Sequence, residues 1–147
     1  MAQTTDLYPH IQSIAARKTI TFTGAANLGA QGAVPLFTIS GRVIVERIAG
    51  YCTVDLVSAG GGTLALGVTG ATTLFIGATT ATAIDVGEVW VSTTPTAAGI
   101  ALPAAMQNIV IAANIIGTVA TGDITAGAIE LVVWYRPLSE GSSLVAA

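Results

Sequence analysis

The sequence predicts an all-β protein, an antiparallel β-sandwich of jelly-roll type. Two observations carry this. Short runs rich in Val, Ile and Thr recur along the chain between Gly-rich turns, and such residues suit a pleated, half-buried surface. No long amphipathic helix and no alternation of strand and helix patterns breaks the series, which argues against a parallel-sheet fold.

Residues 1–17 stand apart as an arm. Pro9 interrupts regular structure, and Ile11, Ile14 and Ala15 either line one face of a single helical turn or lie extended for docking. Residues 18–138 form the sandwich domain. Its first strand is Lys18 to Thr23, with Ile20 and Phe22 turned inward and Thr19, Thr21 and Thr23 outward. The loop from Gly24 to Gly32 leads into Val34–Ile39, where Pro35 belongs at the strand's beginning or on an edge because it cannot donate to a ladder.

The longest β region, Arg42 to Val57, is expected to bend at Ala49-Gly50. Gly60-Gly61-Gly62 then turns the chain into Thr63–Val68. Further strands are read at Thr72–Ile76, Ala83–Val86, Glu88–Val91, Asn108–Ala112 and Ile115–Val119, with Pro95 and Pro103 in the loop between the third and fourth of these. The last strand, Ala128–Arg136, shows Ile129, Leu131, Val133 and Tyr135 on a core side. Ala128, Glu130, Val132, Trp134 and Arg136 occupy the other. Pro137 stops it, and residues 139–147 read as a loose tail.

Composition limits the function classes. The 147 residues are 52% hydrophobic but only 9% charged, against about 25% charged in ordinary soluble domains. Eight acidic and five basic side chains must serve the whole surface, and a weakly charged surface favours association over life as a free monomer. A net charge of -3, with only Arg17 and Lys18 adjacent among the basic residues, gives no phosphate-tracking patch and argues against nucleic acid. The stretches from Asp55 to Asp85 and from Glu88 to Asp123 lack internal charge. Gly, Thr, Pro and Asn interrupt both, so neither supplies the roughly 20 apolar residues of a membrane-spanning helix. The opening residues lack the basic and apolar regions of a secretory signal.

Chemistry finds little purchase. The single Cys52 excludes an intrachain disulfide framework and reads as a small core residue, and one Cys with one His excludes a zinc site. His10 would have to serve any catalytic triad, with Ser13 or Asp55, and no nucleophile motif accompanies it. Asp85 and Glu88 read as turn acids that accept backbone N–H bonds. Gly60-Gly61-Gly62 lacks the Lys-Ser/Thr of a phosphate loop. No catalytic, cofactor or metal residues are assigned, and the protein is not expected to be an enzyme. Trp134, beside Glu130 and Arg136 on one strand face, is a candidate interface anchor, whereas Trp90 reads equally as core or interface.

Several stretches together resemble a known class of protein: Thr19–Gly24, Gly29-Ala30, Gly32–Phe37, Gly87–Trp90, Ile124–Glu130 and Trp134–Ser139. They are similar to small virion proteins encoded among tailed-phage head genes, the head decoration or cement proteins. The resemblance runs over residues 18 to 139 and lies in texture and short matches, with no catalytic signature. It implies a β-rich protein, made in the host cytoplasm, that coats the outside of an expanded capsid. There it clamps the major capsid protein, often as a homotrimer. On that expectation Tyr8, His10, Ile11, Ile14, Arg17 and Lys18 are candidates for capsid contact. Arg42, Glu46, Arg47, Trp134 and Arg136 are candidates for self-association. The rival expectations are a tail, fibre or head-surface adhesin that binds a host receptor or glycan, and a ligand-binding or hydrolytic jelly roll. The second would need His or carboxylates clustered at one barrel mouth.

Overall fold

Two five-stranded antiparallel sheets, packed face to face, make up the computed structural model, which describes residues 13–147. In chain order the strands are β1 (Ile14–Thr21), β2 (Gly32–Ser40), β3 (Val43–Val57), β4 (Thr63–Val68) and β5 (Ala71–Thr80). They continue with β6 (Val89–Trp90), β7 (Gln107–Ile111), β8 (Ile115–Ala120), β9 (Ala126–Pro137) and β10 (Ser143–Ala146). The first sheet has the order β1-β9-β3-β6, with β7 also paired to β3; the second is β10-β2-β8-β4-β5. The chain changes sheet at every connection except β4–β5 and β6–β7. With β6 and β7 counted as one interrupted strand, that order is a jelly roll, with β10 added beyond β2.

Residues of alternating parity meet between the sheets. Val34, Val45, Ile48, Leu66, Ile115, Ile129, Leu131 and Val133 are all buried, so the side of β9 read as core is the core side. The space enclosed by Ile20, Leu36, Leu64, Trp90 and Leu131 is a cavity of about 10 Å³, no more than a single water needs. The sandwich interior is filled with side chains and holds no ligand-sized chamber there. Among the described residues no helix is long and apolar enough to cross a membrane.

Four expectations change. The arm does not extend to residue 17, because Ile14–Arg17 pair in register with Tyr135–Val132. A single helical turn there would satisfy few backbone groups, whereas β9 offers a full ladder. The tail is not loose along its length. Ser143–Ala146 pair with Ser40–Phe37, Leu144 is buried, and the Ser142 hydroxyl donates to the Ser139 carbonyl at 2.7 Å. A four-residue strand is too short to register as a period in sequence. Residues Ala83–Val86 are not a strand: a 3-10 turn, Ala81–Ala83, leads into a segment that bonds to β3 through Leu56 N to Ile84 O and Gly87 N to Cys52 O. The irregularities of β3 fall at Val45/Arg47, Cys52/Val54 and Val54/Val57, not at Ala49-Gly50.

Gly50 has a different purpose. A Cβ there would lie 2.7 Å from Leu131 Cδ2, so its bare backbone lets the β3–β9 ladder sit tightly over the core. Pro35 lies outside the span of β2 that β10 covers, and the β2–β8 register shifts just after it.

Gly127 combines two constraints. Its φ is +109°, and a Cβ would fall 2.5 Å from Asp55 O and 2.7 Å from Leu56 Cα. Gly127→Ala is expected to cost about 2–4 kcal/mol, the sum of backbone strain and a clash with backbone that cannot move aside. Gly99→Ala, at φ +139° with nothing within 4 Å, should cost only the strain, about 1–2 kcal/mol. Guanidinium denaturation midpoints of the two variants check the difference.

Candidate protein interface

The outer face of the first sheet collects five of the contact candidates read from the sequence: Arg17, Glu46, Arg47, Trp134 and Arg136. On β9, outward positions alternate through Glu130, Val132, Trp134 and Arg136. β1 sets Thr19 opposite Glu130, Arg17 opposite Val132 and Ala15 opposite Trp134. On the other side β3 sets Tyr51 opposite Glu130 and Arg47 opposite Trp134.

A bulge makes this face possible. Val45 pairs with Tyr135 and Arg47 with the adjacent Trp134, so Glu46 is the extra residue. Strict alternation would drive either Glu46 or Arg47 into the core. With one residue looped out, Val45 and Ile48 remain fully buried while Glu46 and Arg47 both stay on the outside.

The charges are wired together within the face. Arg17 Nη1 lies 3.0 Å from Glu130 Oε1, and Arg136 Nε lies 2.7 Å from Glu46 Oε1. The Ser13 hydroxyl donates to that same Glu46 oxygen, tying the start of β1 to β3. The Ser13 hydroxyl and then the Arg136 guanidinium hold the Glu46 carboxyl below the usual carboxylate range. Tyr51, across the ladder, and then Arg17 do the same for Glu130, and the Tyr51 hydroxyl is pushed upward in turn. Arg47 has its guanidinium carbon 5.4 Å from the centroid of the Trp134 ring, a cation–π contact.

Four of the five self-association candidates, Glu46, Arg47, Trp134 and Arg136, therefore share one surface. Arg42 lies apart in the β2–β3 turn. Its backbone N–H donates to the Ser139 hydroxyl at 3.0 Å, and its carbonyl accepts from Leu138 N. The capsid-contact candidates divide. Arg17 joins the same face. Ile14 and Lys18 fall on the inward parity of β1, opposite Tyr135 and Leu131, and Lys18 Nζ reaches across the sandwich opening to the carbonyl of Ala147. Ile14 remains 40% exposed at the strand's end. Tyr8, His10 and Ile11 lie outside the described residues. Sequence reading did not single out Tyr51, and it named Ser13 only as a triad partner for His10, not as part of a surface. Alternation from the core residue Cys52 points Tyr51 outward, but its meeting with Glu130 depends on the register of two strands far apart in sequence.

The remaining candidates resolve as structure. Trp90 is 1% exposed, and its indole N–H donates to the Thr79 hydroxyl at 3.1 Å. Cys52 is buried, and burial pushes its thiol above the usual range. Glu88 accepts the backbone N–H of Asp85 at 3.0 Å, Asp55 that of Val86 at 2.6 Å, and Asp123 that of Gln31 at 3.0 Å, so these acids hold turns. Among the described residues no group of three or more His, Cys, Asp or Glu is placed to hold a metal ion. No protein-family model, curated protein or solved structure matches the chain.

Two measurements test this account. Because the folded values of Glu46 and Glu130 are lowered, their contribution to stability is complete above the unfolded value of about 4.3 and is lost as pH falls through the folded values. Calorimetry across pH should show the melting temperature declining below about pH 4, with a shallower decline in the Glu46→Gln/Glu130→Gln double variant. Cys52 should resist an aromatic disulfide reagent at pH 8 in the native protein and react fully once it is unfolded.

Proposed function

We propose that this protein is a virion structural protein that binds the outside of an expanded tailed-phage capsid and stabilises it. It acts as a homo-oligomer, a trimer in this reading, by contact with the major capsid protein and without catalysis. The observation that carries the reading is the partition of charge between the two sheets. No strand of the second sheet contains Asp, Glu, Lys, Arg or His. On the first sheet Arg17 and Arg136 are each neutralised by a carboxylate of the same face. A surface with so little free charge is poorly suited to hydration as a monomer and well suited to cover by other protein.

The anatomy of the first face supports contact with protein over capture of a small molecule. It is an open sheet surface, and it carries Trp, Tyr and Arg, the residue types that dominate interface energetics. Ser13 stands at its corner, its hydroxyl on Glu46. Several weak contacts made at once by an oligomer would add through effective concentration, which suits a coat that clamps neighbouring subunits.

Co-sedimentation of the purified protein with expanded heads that lack it, beside unexpanded procapsids and across a salt series, tests the proposal. Saturable binding to expanded heads that survives high salt is expected, since Arg17 and Arg136 are already paired within the face. Arg47→Glu should weaken it by about tenfold or more. Binding to neither form of the head would overturn the decoration reading in favour of a tail or adhesin role.

A further inference from the structure

The outer face of the first sheet has two ends of opposite character. At one end Arg47 lies on Trp134 and, unlike Arg17 and Arg136, has no carboxylate within ion-pair distance among the described residues. At the other end Val54, Val57 and Val86 are 54%, 49% and 58% exposed. Val54 and Val57 lie on β3, and the Val86 N–H is held by the carboxylate of Asp55, which lies between them in sequence. Asp85, exposed, sits beside Val86, with no basic side chain in ion-pair contact among the described residues. One end thus presents a cation on an aromatic ring, and the other presents apolar side chains with carboxylates.

A single copy cannot bring these ends together. Arg47 pairs with Trp134 and Val57 with Ala126, eight positions apart on β9 and so roughly 25 Å along a sheet that does not fold back. We infer that the two ends meet between copies, the Arg47–Trp134 patch of one chain docking on the Val54/Val57/Val86 end of the next, with Asp85 facing Arg47. Arg47 of the one surface and the exposed Asp85 carboxylate of the other are complementary in charge, so a second copy of this chain is the partner the surfaces specify. The contact joins different surfaces, head to tail, and closes into a ring when the rotation between copies allows. A two-fold pairing of the Arg47 patch with itself would set like charges against each other.

The inference rests on the reading of the Arg47–Trp134 patch as a self-association surface and adds the surface it meets. Sedimentation equilibrium of the full chain separates the two ideas. The wild-type protein is expected to be an oligomer. Arg47→Glu and Asp85→Arg should each weaken association by about tenfold or more. The double variant, which restores an opposite-charge pair at every head-to-tail contact, should recover most of the loss. Both positions are exposed, and unchanged melting temperatures would show that the variants fold. A monomeric wild-type protein would overturn both ideas. An oligomer weakened by Arg47→Glu but not by Asp85→Arg, or not rescued in the double variant, would leave the patch in place and overturn this partner for it.

Discussion

The pairing of β3 with β9 is the constraint on which the rest of the molecule hangs. β9 carries β1 on its far side, and β3 carries β6 and β7 on its own. Leu131 of β9 packs over Gly50, where a Cβ would lie 2.7 Å from Leu131 Cδ2 and displace it. The ladder joins residues from Val43–Val57 to residues from Ala126–Pro137, so its loop-closure entropy must be met before its contacts form. The hydrophobic surface buried beneath it offsets that cost, with roughly 1.5–3 kcal/mol for each large apolar side chain taken fully out of water.

The same ladder shapes the surface. Its bulge at Glu46 turns two consecutive charged residues to the outside and leaves the core parity of Val45 and Ile48 intact. A backbone irregularity that costs one ladder position thereby yields a face on which Arg136, Glu46 and Ser13 form one connected set and Arg47 is free to lie on Trp134. A chain with only 9% charged residues uses them economically. Asp55, Glu88 and Asp123 fasten turns, and Lys18 bridges the two sheets at their open side. An inward-turned charge on an edge strand also discourages unwanted pairing.

The absence of charge from the second sheet has a physical consequence of its own. Its exposed strand positions are uncharged and mostly small, Thr, Ser, Ala, Gly and Pro with Val145 among them, and they lose little side-chain entropy when covered. The first sheet offers directional contacts and the second a smooth neutral surface. Their division of labour underlies the proposal of an assembled, contact-driven role.

Sequence alone determined the all-β class, the positions of most strands and the core parity of Ile129, Leu131, Val133 and Tyr135. It also placed Cys52 inside and Asp85 and Glu88 in turns. All of these follow from local preferences, the two-residue period and the chemistry of Gly, Pro and acidic side chains near turns. Only the tertiary structure decided the jelly-roll order, the fate of Trp90, the inward turn of Lys18 and the recruitment of Ile14–Arg17 and Ser143–Ala146 as edge strands. It alone gathered Glu46, Arg47, Trp134 and Arg136 on one face while leaving Arg42 outside it. Those outcomes depend on which backbone pairs with which, and on where a bulge shifts the register. Partners some 90 residues apart, as Glu46 and Arg136 are, leave no periodic trace in the sequence.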